Sequence, residues 1–320
     1  MPKSSSGLIP PFCSFLDKCL SPYHEKQELL QNYQEQGFTL LSSDAWSIEN
    51  GGKYLFTQKG FVAAFTIPER EVQHLHILAS HMDSPCFKLR SILPLSQEKP
   101  LQFSPYGSPV ISSWLNRDLY LAGAIVTKNK EGIRQSHLLT IPFAFSISGA
   151  SAHGQSAEKE SKNLASFTLN DLSYAQLVSY IESRFPEEIL LSWDLRLAPA
   201  EKSALLGVKS QQLASKFLDN LSSVHACYIA SIQAPINRSL NLTLFLDHEE
   251  IGSPSSEGAL STLIENILEN LRIHLHWKCE KLFGLKRKGM VLSVDVAHAF
   301  NPLYPDSFDA ERTPFLGKGV

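Results

Sequence analysis

The feature that most constrains this chain is an apolar run that stops on a block of ionisable residues. Leu240 to Leu246 alternates apolar with polar side chains, and Asp247-His248-Glu249-Glu250 follows at once. That alternation predicts a β-strand entering the interior, and Gly252, Ser253, Pro254 and Ser255 are turn formers that end it. Burying such a strand places the acids at its end. Neighbouring side chains on a continuing strand point to opposite faces, so Glu249 and Glu250 can share one small site only if the backbone bends there. The Gly-Ser-Pro that follows predicts such a bend. One carboxylate could then bind a metal while the other takes a proton from metal-activated water, as metal-assisted hydrolysis requires. An acidic surface turn is the competing reading.

The pattern recurs. Leu75 to Ala79 reads as a buried strand running into His81-Met82-Asp83-Ser84-Pro85. A His and an Asp two apart can face the same way, His81 toward a metal and Asp83 accepting a hydrogen bond from the other ring nitrogen. A purely structural hydrogen bond is the alternative. Met290 to Val294 is another apolar run, and it ends at Asp295. His81, Glu249, Glu250 and Asp295 therefore all fall at or just past predicted strand ends, the edge where open α/β sheets gather ligands. Asp219, in Phe217-Leu218-Asp219-Asn220-Leu221, precedes a helical pattern through Ile232. It reads as a helix cap or as an acid able to bridge two cations.

The remaining elements follow from periodicity. Phe12–Leu20 and Tyr23–Gln36 have helical spacing, and Tyr54–Phe56 with Phe61–Ile67 reads as a hairpin. Glu257 to Arg272 has a helical pattern, and Lys286-Arg287-Lys288 reads as a solvated turn. From Ile92 to Leu205 short β-type runs alternate with loops, which suggests an insert and a division into residues 1–91, 92–205 and 206–320. Within it, Ser146 to Lys162, with His153, has a composition too polar to order itself. Charge and composition then exclude classes of partner. A formal net charge of -3 and one short basic run give no footprint for nucleic acid, and no window has the roughly 20 apolar residues of a membrane helix. Five cysteines without a Cys-x-x-Cys fit reduced thiols in a cytoplasmic setting.

Taken in order, His81-Met82-Asp83-Ser84-Pro85, Leu218-Asp219-Asn220-Leu221, Asp247 to Ser253 and Ser293-Val294-Asp295-Val296-Ala297-His298-Ala299 resemble the M18 metallo-aminopeptidases, the aspartyl aminopeptidase group. The resemblance implies an α/β fold, with a mixed-sheet metallopeptidase catalytic domain interrupted by a β-rich inserted oligomerisation domain. It implies peptide substrates, a homo-oligomer and two zinc ions. His81 and Asp295 would hold one ion, Asp219 would bridge, Glu250 would hold the other and Glu249 would be the general base, with Asp83 beside it.

Members of that family continue past the point where this sequence stops, into a segment with a final metal-ligating histidine. No residue after Asp295 maps onto that histidine, so one zinc fits this chain more readily than two, because two protein ligands make a poor zinc site. The expectations are an active aminopeptidase, completed by a separate C-terminal polypeptide or working with one ion; a truncated, inactive member with partial metal binding; or a non-enzymatic oligomer subunit.

Overall fold

A computed structural model describes residues 8–42, 45–91, 98–145, 167–309 and 311–318, with backbone alone at 143–145 and 167–171. Its strands are β1 (Thr39–Leu40), β2 (Lys53–Gln58), β3 (Phe61–Thr66), β4 (His74–His81), β5 (Cys86–Leu89), β6 (Pro100–Tyr106), β7 (Leu119–Asn129), β8 (Arg134–Phe145), β9 (Phe167–Ser173), β10 (Glu188–Pro199), β11 (Ala204–Leu206), β12 (Gln212–Ala214), β13 (Ser239–Leu246) and β14 (Met290–Ser293). The first sheet runs β1-β2-β3-β13-β4-β14, the second β8-β7-β10-β5-β6-β9, and β11 and β12 form a small hairpin.

In the first sheet β3 is antiparallel to β2 and β13, whereas β13, β4 and β14 are parallel to one another. Leu246 pairs with His81 and Ser293 with Ala79, so the three parallel strands finish at one edge. Side-chain alternation covers both faces. Phe61, Ala63 and Phe65 join Leu240, Leu242 and Leu244 against helices Leu263–His274 and Cys279–Lys288. Val62, Ala64 and Phe245 face the other way, against helices Ile9–Lys18, Pro22–Glu35 and Leu218–Gln233. Each large apolar side chain buried in these layers contributes about 1.5–3 kcal/mol, which fixes strand register against one-residue slips.

The second sheet is antiparallel throughout and is covered by helix Tyr174–Arg184 through Tyr174, Leu177, Val178 and Ile181. Ser173 starts that helix with a capping box, its hydroxyl accepting from the Gln176 amide and its own amide donating to the Gln176 side chain.

Several boundaries differ from the sequence reading. The chain passes between sheets at Met82–Pro85, not at residue 92, because Lys88 pairs across the second sheet with Arg196. It leaves that sheet after Pro199 rather than Leu205. The helix expected from Glu257 begins at Leu263, since Gly258 packs so tightly that a Cβ there would lie 2.4 Å from the Ser253 carbonyl oxygen. Lys286, Arg287 and Lys288 form the last turn of a helix, where cations offset the carbonyl dipoles. The Ser146–Lys162 run and His153 lie outside the described residues. Among the described residues no helix is long and apolar enough to cross a membrane.

Candidate metal centre

His81 closes β4 with its side chain only 6% exposed. Its Nδ1 donates to the Asp83 main-chain carbonyl over 3.0 Å, which leaves Nε2 facing the cleft. Around Nε2 stand Asp295 Oδ1 at 3.5 Å, Asp219 Oδ1 at 3.6 Å and Glu249 Oε2 at 3.9 Å. Donor atoms of His81, Asp219 and Asp295 lie within 4.8 Å of one another, and so do those of His81, Glu249 and Glu250. Two ligand atoms at about 2.0–2.2 Å from a tetrahedral ion stand about 3.3–3.5 Å apart. The His81–Asp219 and His81–Asp295 separations are therefore close to what a zinc ion needs, and Glu249 stands somewhat wider.

Backbone geometry sets each donor. At the end of β13, His248 takes a left-handed conformation (φ 66°), Glu249–Ile251 forms a single 3-10 turn, and Gly252 is again left-handed (φ 92°). The bend thus begins one residue before Glu249, earlier than Gly-Ser-Pro suggests, and it turns both glutamates toward His81. Asp219 lies where the first turn of helix Leu218–Gln233 is broken: φ/ψ at Asp219 and Asn220 are non-helical, and no side chain caps this end. The helix-cap reading of Asp219 is thereby replaced. Ser84 Oγ donates to the Asp219 carbonyl over 2.6 Å, and buried Asn220 donates to Ser80 Oγ and the Val294 carbonyl. Those bonds tie the broken turn to β4 and to the approach to Asp295.

Asp83 is fully buried and does more than orient His81. Its Oδ1 accepts from the Glu249 amide and its Oδ2 from the Glu250 amide, both at 3.0 Å. Tyr106, on β6, donates to Oδ2 over 2.7 Å. Burial alone would raise the Asp83 pKa, but the hydrogen bonds from His81, Tyr106 and the Glu250 amide bring it below the usual carboxylate range. Burial would lower His81, yet Asp83 and Asp295 push it up to about 9. Glu250 rises to about 7 through burial and the charges of Asp219, Asp83 and Glu249. Asp219 is raised by burial and by Asp295. Crowded carboxylates that favour a proton on His81 and on one another also favour a cation among them.

The expected residues form two donor groups that share His81, one with Asp219 and Asp295 and one with Glu249 and Glu250, and Asp83 bonds the Glu249 amide behind them. His248 does not join them: its ring bonds Ser255 and lies 3.7 Å from Asp247 and Glu257. His298 is exposed, and His76 bonds Asn241 on the neighbouring strand. Tyr106, Ser84 and Asn220 were not singled out from sequence. Asn220 and Ser84 adjoin the motif residues, and that adjacency was the available signal, whereas nothing local marks Tyr106.

The model of the family Aminopeptidase I zinc metalloprotease (M18) matches residues 15–320. A probable M18 family aminopeptidase 2 from Borreliella burgdorferi is 29% identical, over 97% of this chain and 75% of its own length. Aspartyl aminopeptidase 1 from Schizosaccharomyces pombe is 29% identical, over 97% of this chain and 74% of its own. Among solved structures, a chain of the Ape4 and Nbr1 complex superposes with a TM-score of 0.82 at 26% identity, covering 97% of this chain and 67% of that one. The S. cerevisiae mApe1 dodecamer gives 0.80 at 22% identity, covering 98% and 77%, a likeness of fold.

Proposed function

Because this chain belongs to the M18 family of zinc metallo-aminopeptidases, we propose that it removes the N-terminal residue from peptides with His81, Asp219, Glu249, Glu250, Asp295 and Asp83 as its site. One observation carries this reading: Asp219, Asp295 and Glu249 surround the inward nitrogen of His81 within 3.9 Å, at the edge where three parallel strands end.

His81, Asp219 and Asp295 would hold one zinc ion, and Asp219 with Glu250 would face a second. Zinc, when held, supplies Lewis acidity that polarises the scissile carbonyl and lowers the pKa of water. Glu249 takes the proton from the attacking water and returns it to the leaving amine; its half-exposed carboxylate on a fixed turn can reach both. The free ammonium of the substrate is drawn to the surplus of carboxylates. Asp83 holds the Glu249 and Glu250 backbone and the His81 ring in place. Among the described residues three donors would hold the first ion and two would face the second, so the first would be held more tightly by these residues.

The division into a two-part catalytic unit and a β-rich insert is part of the same reading, supported by the separate cores of the two sheets. Assembly into a homo-oligomer is supported by the likeness to a chain whose structure is described as a dodecamer. The free cysteines Cys13, Cys19, Cys86, Cys227 and Cys279 support a reducing, cytoplasmic setting.

The test compares the parent chain with Glu249→Gln, measuring bound zinc by elemental analysis and release of the N-terminal residue from short peptides. Loss of at least about 100-fold in rate with zinc unchanged supports Glu249 as the base. Equal rates remove that assignment. Bound zinc without turnover in the parent chain would point instead to an inactive family member.

A further inference from the structure

Beneath Asp83 lies a charge that the chemistry above does not use. Arg196, on β10 of the second sheet, is 2% exposed, and none of its guanidinium nitrogens has a hydrogen-bond partner among the described residues. Asp194 Oδ1 lies 3.5 Å from its Nε. Its guanidinium sits over the Tyr106 ring, 4.5 Å from the centroid.

Tyr106 carries this contact to the site. Its hydroxyl donates to Asp83 Oδ2 over 2.7 Å, the same oxygen that accepts from the Glu250 amide. A cation on the face of a phenol withdraws electron density from the ring and makes the O–H a stronger donor. The next residue, Gly107, lies so close to Glu250 that a Cβ there would stand 3.1 Å from the Glu250 Cβ. The end of β6 therefore touches both the buried acid behind the donors and one of the donors themselves. Beside the two amides and the His81 ring, Tyr106 adds to Asp83 a donor that comes from a different sheet.

We propose that Tyr106, stacked on Arg196, is a positioning residue of the metal centre: it locks the Asp83 carboxylate, and through it the Glu249–Glu250 turn and the His81 ring. This makes the second sheet part of the site as well as a separate layer. The inference rests on the zinc reading of the preceding section.

The experiment measures zinc affinity by chelator competition, together with kcat and KM, on the full chain, on Tyr106→Phe and on Tyr174→Phe. Tyr174 is a buried tyrosine at the start of the helix that covers the same sheet, and its hydroxyl donates to the Arg90 carbonyl. Circular dichroism establishes that each variant is folded at the assay temperature. Tyr106→Phe is expected to lose about 10- to 100-fold in zinc affinity, with kcat falling and KM little changed. Tyr174→Phe keeps the parent affinity. Tyr106→Phe within about twofold of the parent, or an equal loss in both variants, overturns the proposal. If Tyr106→Phe does not fold, Arg196→Lys takes its place: it keeps the charge but loses the flat stacking, and an unchanged zinc affinity there overturns the proposal. A parent chain that binds no zinc refutes the zinc reading itself, which separates the two failures.

Discussion

At the scale of single residues, Asp83 shows why a carboxylate rather than its amide must stand behind the donors. It accepts hydrogen bonds from Tyr106, the Glu249 amide and the Glu250 amide, so every group around its two oxygens is a donor. In Asp83→Asn one oxygen becomes an NH₂ that points a donor at another donor, at a fully buried position. Leaving buried donors unsatisfied costs about 1–3 kcal/mol each, more where charge is involved. Asp83→Asn should therefore lower the unfolding free energy of the metal-free chain by about 2–4 kcal/mol, measured by urea titration. A variant as stable as the parent would show that those contacts carry little energy. The sequence placed Asp83 beside His81, but it could not show that the Glu249 and Glu250 amides belong to Asp83 as well.

At the scale of elements, the two sheets are joined through helix Pro22–Glu35. His24 on that helix bonds Ser21 through Nδ1 at 2.8 Å and Thr140 of β8 through Nε2 at 2.9 Å. Burial pushes its pKa down to about 4, below the value of about 6.5 for an unfolded chain. A histidine whose folded pKa is depressed stays neutral in the fold but takes a proton when unfolded. Its share of stability is therefore complete above about pH 6.5 and is lost as the pH falls toward 4, by up to about 3 kcal/mol. His24→Gln should flatten the unfolding free energy between these pH values relative to the parent. The pairing of β7 with β10 offers a steric counterpart. Gly123 lies opposite Leu195, and a Cβ on it would stand 2.0 Å from the Asp194 carbonyl oxygen. Gly123→Ala should cost about 1–3 kcal/mol by forcing the strands apart, read as a lower thermal midpoint.

At the scale of the whole molecule, an apolar strand, β14, stands at one end of the first sheet among the described residues. Met290, Val291 and Leu292 of β14 are 56%, 68% and 53% exposed, and among the described residues β14 pairs with β4 alone. An edge strand of this kind presents unpaired backbone groups beside apolar side chains, the arrangement that recruits further strands. Val291→Lys should reduce concentration-dependent association seen by light scattering while leaving zinc affinity unchanged, because Val291 lies on the strand ahead of Asp295 and not at the donors.

Local periodicity was enough to find the strands that end at or shortly before His81, Glu249 and Asp295, since alternation and turn formers act over a few residues. The shared edge of those strands followed from the tendency of open α/β sheets to gather ligands there. What periodicity could not supply was strand order. Only the sequence of neighbours β13-β4-β14 makes the three ends adjacent, and that order is chosen by burial of both sheet faces among residues far apart in the chain. The same long-range packing moved the sheet crossover to Met82–Pro85 and broke the helix at Asp219. It also brought Tyr106 beneath Asp83 from a different sheet, because a hydrogen bond between residues 23 positions apart leaves no trace in either local stretch.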